Sequence, residues 1–144
     1  MHSFSLGGSS REKVIVTVHG YERPPIGDYH DDNWLAVVVQ VNAGAFSGKF
    51  DAAFLTEDFV SFFAQLRDLY DSLKGEAIFS TLEEQLTIRV ASDGRGGVSV
   101  AGEALDQPGI GNKLVFKLAM DQTNLLPALR ELDEIVSRFP VRGA

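Results

Sequence analysis

The fold is decided by residues 33–75, whose sequence is NWLAVVVQVNAGAFSGKFDAAFLTEDFVSFFAQLRDLYDSLKG. Residues 34–41 are almost uninterrupted by polar side chains, which is typical of a central strand that is covered on both faces. After a turn at residues 42–44, apolar and polar side chains alternate over residues 45–54. These two segments therefore predict a β-hairpin.

A helix is predicted directly after this hairpin. Thr56 is a good N-cap residue, and Glu57 and Asp58 place acidic side chains in the first turn, where the helix dipole favours them. Large apolar residues recur at three- and four-residue spacing over residues 59–73 and form one stripe along the helix. Gly75 stands where a left-handed C-cap is expected.

The segments outside this region predict further strands and a closing helix. Short loops join consecutive strands, which implies antiparallel pairing. The expected fold is therefore α+β, with three strands, a helix, about four strands and a final helix. We expect a two-layer domain in which both helices pack on one face of an antiparallel sheet of about six to seven strands. The additional strands are predicted at 13–21, 76–81, 85–92, 98–104 and 113–120, and the closing helix at 121–139.

Length and composition indicate one globular domain over residues 1–144, with residues 1–11 as a flexible lead-in because of the run Gly7-Gly8-Ser9-Ser10. Twenty Asp and Glu residues against 13 Lys and Arg residues give a net charge of −7. Such a surface repels phosphate backbones and anionic lipids, so neither a nucleic-acid nor a membrane partner is expected, whereas a basic protein would be attracted. The chain has no cysteine, and its start lacks the features of a signal peptide, so we expect a cytoplasmic protein.

The densest polar cluster consists of Asp28, His30, Asp31, Asp32 and Asn33. Carboxylate and imidazole side chains suit several divalent metals, but the spacing does not match a calcium-binding loop. The alternative is an acidic loop whose short side chains cap turns and the following strand. We favour the loop and expect neither a metal nor a cofactor.

Motifs for catalysis are missing from the sequence. There is no GxSxG motif, and the adjacent Glu83 and Glu84 would point to opposite faces of a strand. The glycine-rich stretches 94–97 and 109–112 stand between strands, so they lack the strand-to-helix context of a phosphate-binding loop. The sequence therefore predicts a protein that is not an enzyme.

Several short motifs together resemble the WapI-type immunity proteins of bacterial toxin–immunity systems. The resemblance covers roughly residues 18–143. It is carried by GYERP before an acidic loop and NWL, by FLTEDF at the start of a helix, by EEQL in a later strand, and by a closing helix that ends with RFPVRG. It implies a protein that neutralises a toxin domain by binding it, and it brings no catalytic residues to this chain.

Toxins that attack nucleic acids tend to be basic, so an acidic inhibitor could be steered to them. The hypothesis for the partner-binding site comprises Tyr21, Asp28, Asp31, Asp32 and Trp34, although a strand-opening Trp is also typical of a core. The alternative function is a small-ligand-binding or housekeeping α+β domain. In that alternative a pocket would be lined by phenylalanines that otherwise fill the core, namely Phe46, Phe50, Phe54, Phe59, Phe62 and Phe63.

Overall fold

A computed structural model describes residues 2–143. The first half contains β1 (His2–Ser9), β2 (Glu12–Tyr21), α1 (Tyr29–Asp32), β3 (Trp34–Ala43), β4 (Phe46–Leu55) and α2 (Thr56–Ser72). The second half contains β5 (Glu76–Ser80), β6 (Leu86–Ser92), β7 (Gly97–Leu105), β8 (Lys113–Asp121), a 3₁₀ turn (Gln122–Asn124) and α3 (Leu125–Arg138).

The strands form two antiparallel four-stranded sheets, ordered β1-β2-β3-β4 and β5-β6-β7-β8. The α+β class is therefore confirmed, but the single sheet of six to seven strands and the two-helix count are wrong. One reason for the division is visible at the edge of β5. There the side chain of Gln65 in α2 bonds the backbone of Ile78, accepting from its N–H at 2.9 Å and donating to its carbonyl at 3.2 Å. A helix side chain thus occupies backbone groups that a further strand would need.

The expected flexible lead-in also differs, because residues 2–9 form strand β1, which pairs with β2. Phe4 and Leu6 project from this strand into the core and are fully buried. The backbone N–H of Ser5 donates to the Glu131 carboxylate of α3 at 3.1 Å. Burial of two large side chains outweighs the conformational freedom suggested by the glycine–serine run that follows them.

One continuous core lies between the sheets and the two long helices. Its centre is a cluster of aromatic rings whose centroids lie 5.4–6.3 Å apart. The five rings are those of Phe4, Phe54, Phe59, Phe62 and Phe79. Phe50 and Phe63 are half-buried and Phe46 is exposed. The phenylalanines considered above as the lining of a pocket therefore divide between the core and its margin, and three of them are fully buried.

Both ends of α2 depart slightly from the expectation. The helix is capped by Leu55, whose N–H donates to the Asp58 carboxylate at 2.9 Å, while the Thr56 hydroxyl bonds Asn33 instead. At the other end Leu73 takes the left-handed conformation, with φ of 55°. Gly75 has a positive φ as well, two residues later.

Candidate partner-binding site

The acidic segment forms an ordered loop between β2 and β3. It contains the single-turn helix α1, and the Asp28 carboxylate caps this turn by accepting from the Asp31 N–H at 3.2 Å. Asp28 and Asp31 are both exposed. The carboxylate of Asp31 pairs with the Arg23 guanidinium at 3.1 Å. The loop therefore presents these two carboxylates on a defined backbone.

Asp32 points inward and is only 5% exposed. Its two carboxylate oxygens accept the backbone N–H groups of Ile26 and Gly27 at 2.9 and 2.8 Å. These hydrogen bonds, first the one from Ile26, lower the pKa of the Asp32 carboxyl, and the positive charges of Arg23 and Arg142 add to the effect. Asp32 is thus an anion that closes the loop upon itself.

Asn33 joins three segments of the chain through its side chain. Its amide nitrogen donates to the carbonyls of Tyr29 and Arg142 at 2.6 and 3.0 Å. Its oxygen accepts from the Thr56 hydroxyl at 3.0 Å and from the Arg142 N–H at 2.7 Å. Asn33 is 1% exposed, so all the hydrogen-bonding capacity of a buried amide is used within the protein. The acidic loop is therefore tied to the start of α2 and to the C-terminal segment.

Tyr21 is held by that C-terminal segment. Its hydroxyl donates to the Pro140 carbonyl, and its ring meets the Phe139 ring edge-on with centroids 5.8 Å apart. The Arg142 guanidinium carbon lies 3.4 Å from the Tyr21 ring centroid, a cation–π contact, and its Nη1 donates to the Arg23 carbonyl at 3.0 Å. Tyr21 is half-buried, so most of its ring already has partners inside the molecule.

Trp34 opens β3 and is half-buried. It belongs to the outward-facing set of this strand, because the alternate residues Leu35 and Val37 are the ones that are buried in the core. These four residues thus lie in one loop and at the start of the strand that follows it. Asp28 and Asp31 are exposed, Trp34 is half-buried and Asp32 is buried.

Sequence reasoning missed two exposed residues of the loop, Ile26 and Tyr29. Ile26 is 69% exposed and Tyr29 is 40% exposed, so the loop presents two large apolar or aromatic side chains to solvent. The Tyr29 hydroxyl donates to the Glu57 carboxylate of α2 at 3.0 Å, and this bond raises the pKa of Tyr29. The available signal was an isoleucine within a Pro- and Gly-rich loop, where no core partner is expected.

Across residues 2–143 the structure holds no group of three or more His, Cys, Asp or Glu side chains placed to hold a metal ion. In the same part of the chain, no helix has the length and apolarity that crossing a membrane requires.

The fold and this surface define a small α+β protein that carries an exposed acidic loop with apolar side chains beside it. The model of the WapI-like immunity protein family matches residues 5–140, nearly the whole chain. The chain therefore belongs to the WapI-like immunity protein family, and the resemblance noted in the sequence is confirmed. A comparison with curated proteins found no significant match.

Proposed function

We propose that this protein is a cytoplasmic immunity protein that neutralises a cognate toxin domain by binding it directly, without catalysing a reaction. The observation that carries the proposal is the match of the immunity family over residues 5–140. Immunity by binding needs a stable surface that recognises one partner, and it needs no catalytic constellation.

The binding surface in this proposal is the acidic loop together with the start of α2. Asp28 and Asp31 supply exposed carboxylates, of which Asp31 is paired with Arg23, and Ile26 and Tyr29 together supply exposed apolar area. Charge steers association and sets specificity, whereas buried apolar and aromatic contacts supply most of the binding free energy. The partner that fits is a basic surface with an apolar depression, consistent with the net charge of −7.

The other three residues of the predicted partner-binding site, Asp32, Tyr21 and Trp34, have different roles in this proposal. Asp32 closes the loop by its bonds to Ile26 and Gly27, so it positions the loop and does not meet the partner. Tyr21 holds the C-terminal segment beside the loop through the hydrogen bond from its hydroxyl to the Pro140 carbonyl. Trp34 is half-buried beside the loop, and in this proposal it contacts the partner at the rim of the interface.

Association kinetics with the toxin domain test this surface. The double variant Asp28→Asn, Asp31→Asn should lower the association rate constant roughly three- to tenfold at low salt and flatten its salt dependence. Asp68→Asn, Asp71→Asn is the matched control, because it removes the same charge from exposed positions near the other end of α2. Equal effects of the two double variants would assign the steering to net charge and remove the loop from the interface.

A further inference from the structure

A second feature lies beside the acidic loop, where the start of β1 and the end of β2 meet the end of α3. It is an open cleft with a volume of about 620 Å³. We call it the cationic cleft, because its charged and imidazole lining residues are His2, His19, Glu22, Arg23, Arg138 and Arg142. Among the described residues that line it, Glu22 is the one acid.

This concentration of basic groups runs against the composition of the chain. Acidic residues outnumber Lys and Arg by 20 to 13 over the whole sequence, yet three guanidinium groups share the cleft with one carboxylate. Arginines on an acidic surface are commonly neutralised by neighbouring carboxylates. Arg23 follows this pattern, since it pairs with Asp31 at 3.1 Å.

The other two guanidinium groups are supported by aromatic rings. Arg138 lies over the Phe139 ring at 5.3 Å from its centroid, and Arg142 lies over the Tyr21 ring. Within residues 2–143 neither of them forms an ion pair with a carboxylate. Asp32 lies close enough to Arg142 for their charges to interact, and Arg138 is exposed at the end of α3. Stacking on a ring fixes a guanidinium while leaving its N–H groups at the edge for another acceptor.

A β-bulge shapes the wall of the cleft. The register of β2 against β3 shifts between Val18 and Gly20, so His19 has no partner on β3 and its side chain is exposed. Gly20 has a φ of 151°, a conformation that residues with a Cβ atom rarely adopt. Bulges of this kind re-aim a side chain, and here the re-aimed side chain is an imidazole on the wall of the cleft.

We propose that the cationic cleft binds a small multivalent oxyanion, a molecule that carries phosphate or several carboxylate groups. Guanidinium N–H groups match the oxygens of both anions in paired hydrogen bonds, and imidazole adds a further donor. The cleft has the volume of an ordinary small-molecule site, larger than a single ion requires. This inference goes beyond toxin binding, because it gives the protein a second ligand in a cleft that adjoins the proposed toxin-binding loop.

The test is a titration of the full chain with inorganic pyrophosphate, monitored by the amide chemical shifts in NMR spectra. The ionic strength is held constant so that the screening of surface charges stays the same. We expect saturable shifts confined to residues near 19–23 and 138–142. Arg138→Gln should weaken the binding roughly tenfold, the loss expected for one charge-assisted hydrogen-bonded contact. Arg130→Gln is the matched control, because this exposed residue lies on the same helix but outside the cleft lining.

His19→Gln is a second exposed variant that should weaken binding without disturbing the core, and each variant's amide spectrum checks that it is folded. Citrate in the same titration separates the two sources of oxyanion, because the tighter ligand shows whether phosphate or carboxylate chemistry is preferred. Absence of saturable shifts with both anions would overturn the proposal. Equal affinity in the wild type and in Arg138→Gln would overturn it too.

Discussion

Replacing Asn33 by alanine should cost about 3 kcal/mol of folding free energy. The buried side chain makes four hydrogen bonds, to Tyr29, Thr56 and both backbone groups of Arg142. Each is worth roughly 1 kcal/mol net, and the partners left behind add a penalty when they stay buried. Water can reach some of these groups because the loop lies at the surface, so the cost falls below the sum of the full penalties.

Thr56→Val provides the second arm of a double-mutant cycle. It removes one of the four bonds, from the Thr56 hydroxyl to the Asn33 oxygen at 3.0 Å, and should cost about 1 kcal/mol alone. In the Asn33→Ala background the same change should cost close to nothing, since the hydroxyl has already lost its acceptor. The backbone bond from the Thr56 N–H to the Asn33 carbonyl stays in every variant.

Urea unfolding at neutral pH measures all four members of this cycle. A loss below about 1 kcal/mol for Asn33→Ala would refute the reasoning, because a side chain with four buried bonds cannot be that dispensable. The same cost of Thr56→Val in both backgrounds would refute the coupling between the two residues.

Two further predictions concern stability. Burial, with a smaller contribution from the charge of Glu57, raises the pKa of Asp58 from 3.8 to about 6 despite the hydrogen bond from Leu55. The protonated Asp58 therefore stabilises the fold fully below pH 3.8, and this stabilisation is lost as the pH rises through 6. The difference in free energy of unfolding between Asp58→Asn and the wild type should therefore shift by about 1 kcal/mol in favour of the variant between pH 4 and pH 7, a figure reduced because Asp58 is partly exposed. Urea unfolding measures this difference, and a value that stays constant with pH would contradict the prediction. Gly102→Ala should cost about 1–3 kcal/mol by the same assay, because its Cβ would lie 2.3 Å from the Phe116 ring. Gly48→Ala, which meets nothing within 4 Å, is its control, and equal losses would show that crowding is not the cause.

Local patterns were sufficient for most of the individual elements. Alternation in β2 and the three- and four-residue spacing in α2 follow from side-chain burial on one face, which a sequence displays directly. Strand β1 was missed because Phe4 and Leu6 are its only deeply buried side chains and the glycine–serine run follows at once. The division into two sheets depends on where α2 packs, and the bond between Gln65 and Ile78 is tertiary information.

Only part of the candidate site could be predicted from the sequence. Its composition identified the acidic loop, because breakers and carboxylates are concentrated between two strands. The sequence could not separate Asp32 from Asp28 and Asp31, since the difference is whether the loop's own N–H groups face the carboxylate. Asn33 was equally hidden, because its partner Arg142 is 109 positions away. Long-range hydrogen bonds of this kind have no local pattern.

The most direct test of the proposed function is calorimetric titration of the purified chain with a catalytically inactivated form of its cognate toxin domain. The account predicts saturable binding at one site per molecule, tight enough to persist at cellular concentrations. Absence of binding by a folded chain that still protects cells from the active toxin would contradict neutralisation by direct contact.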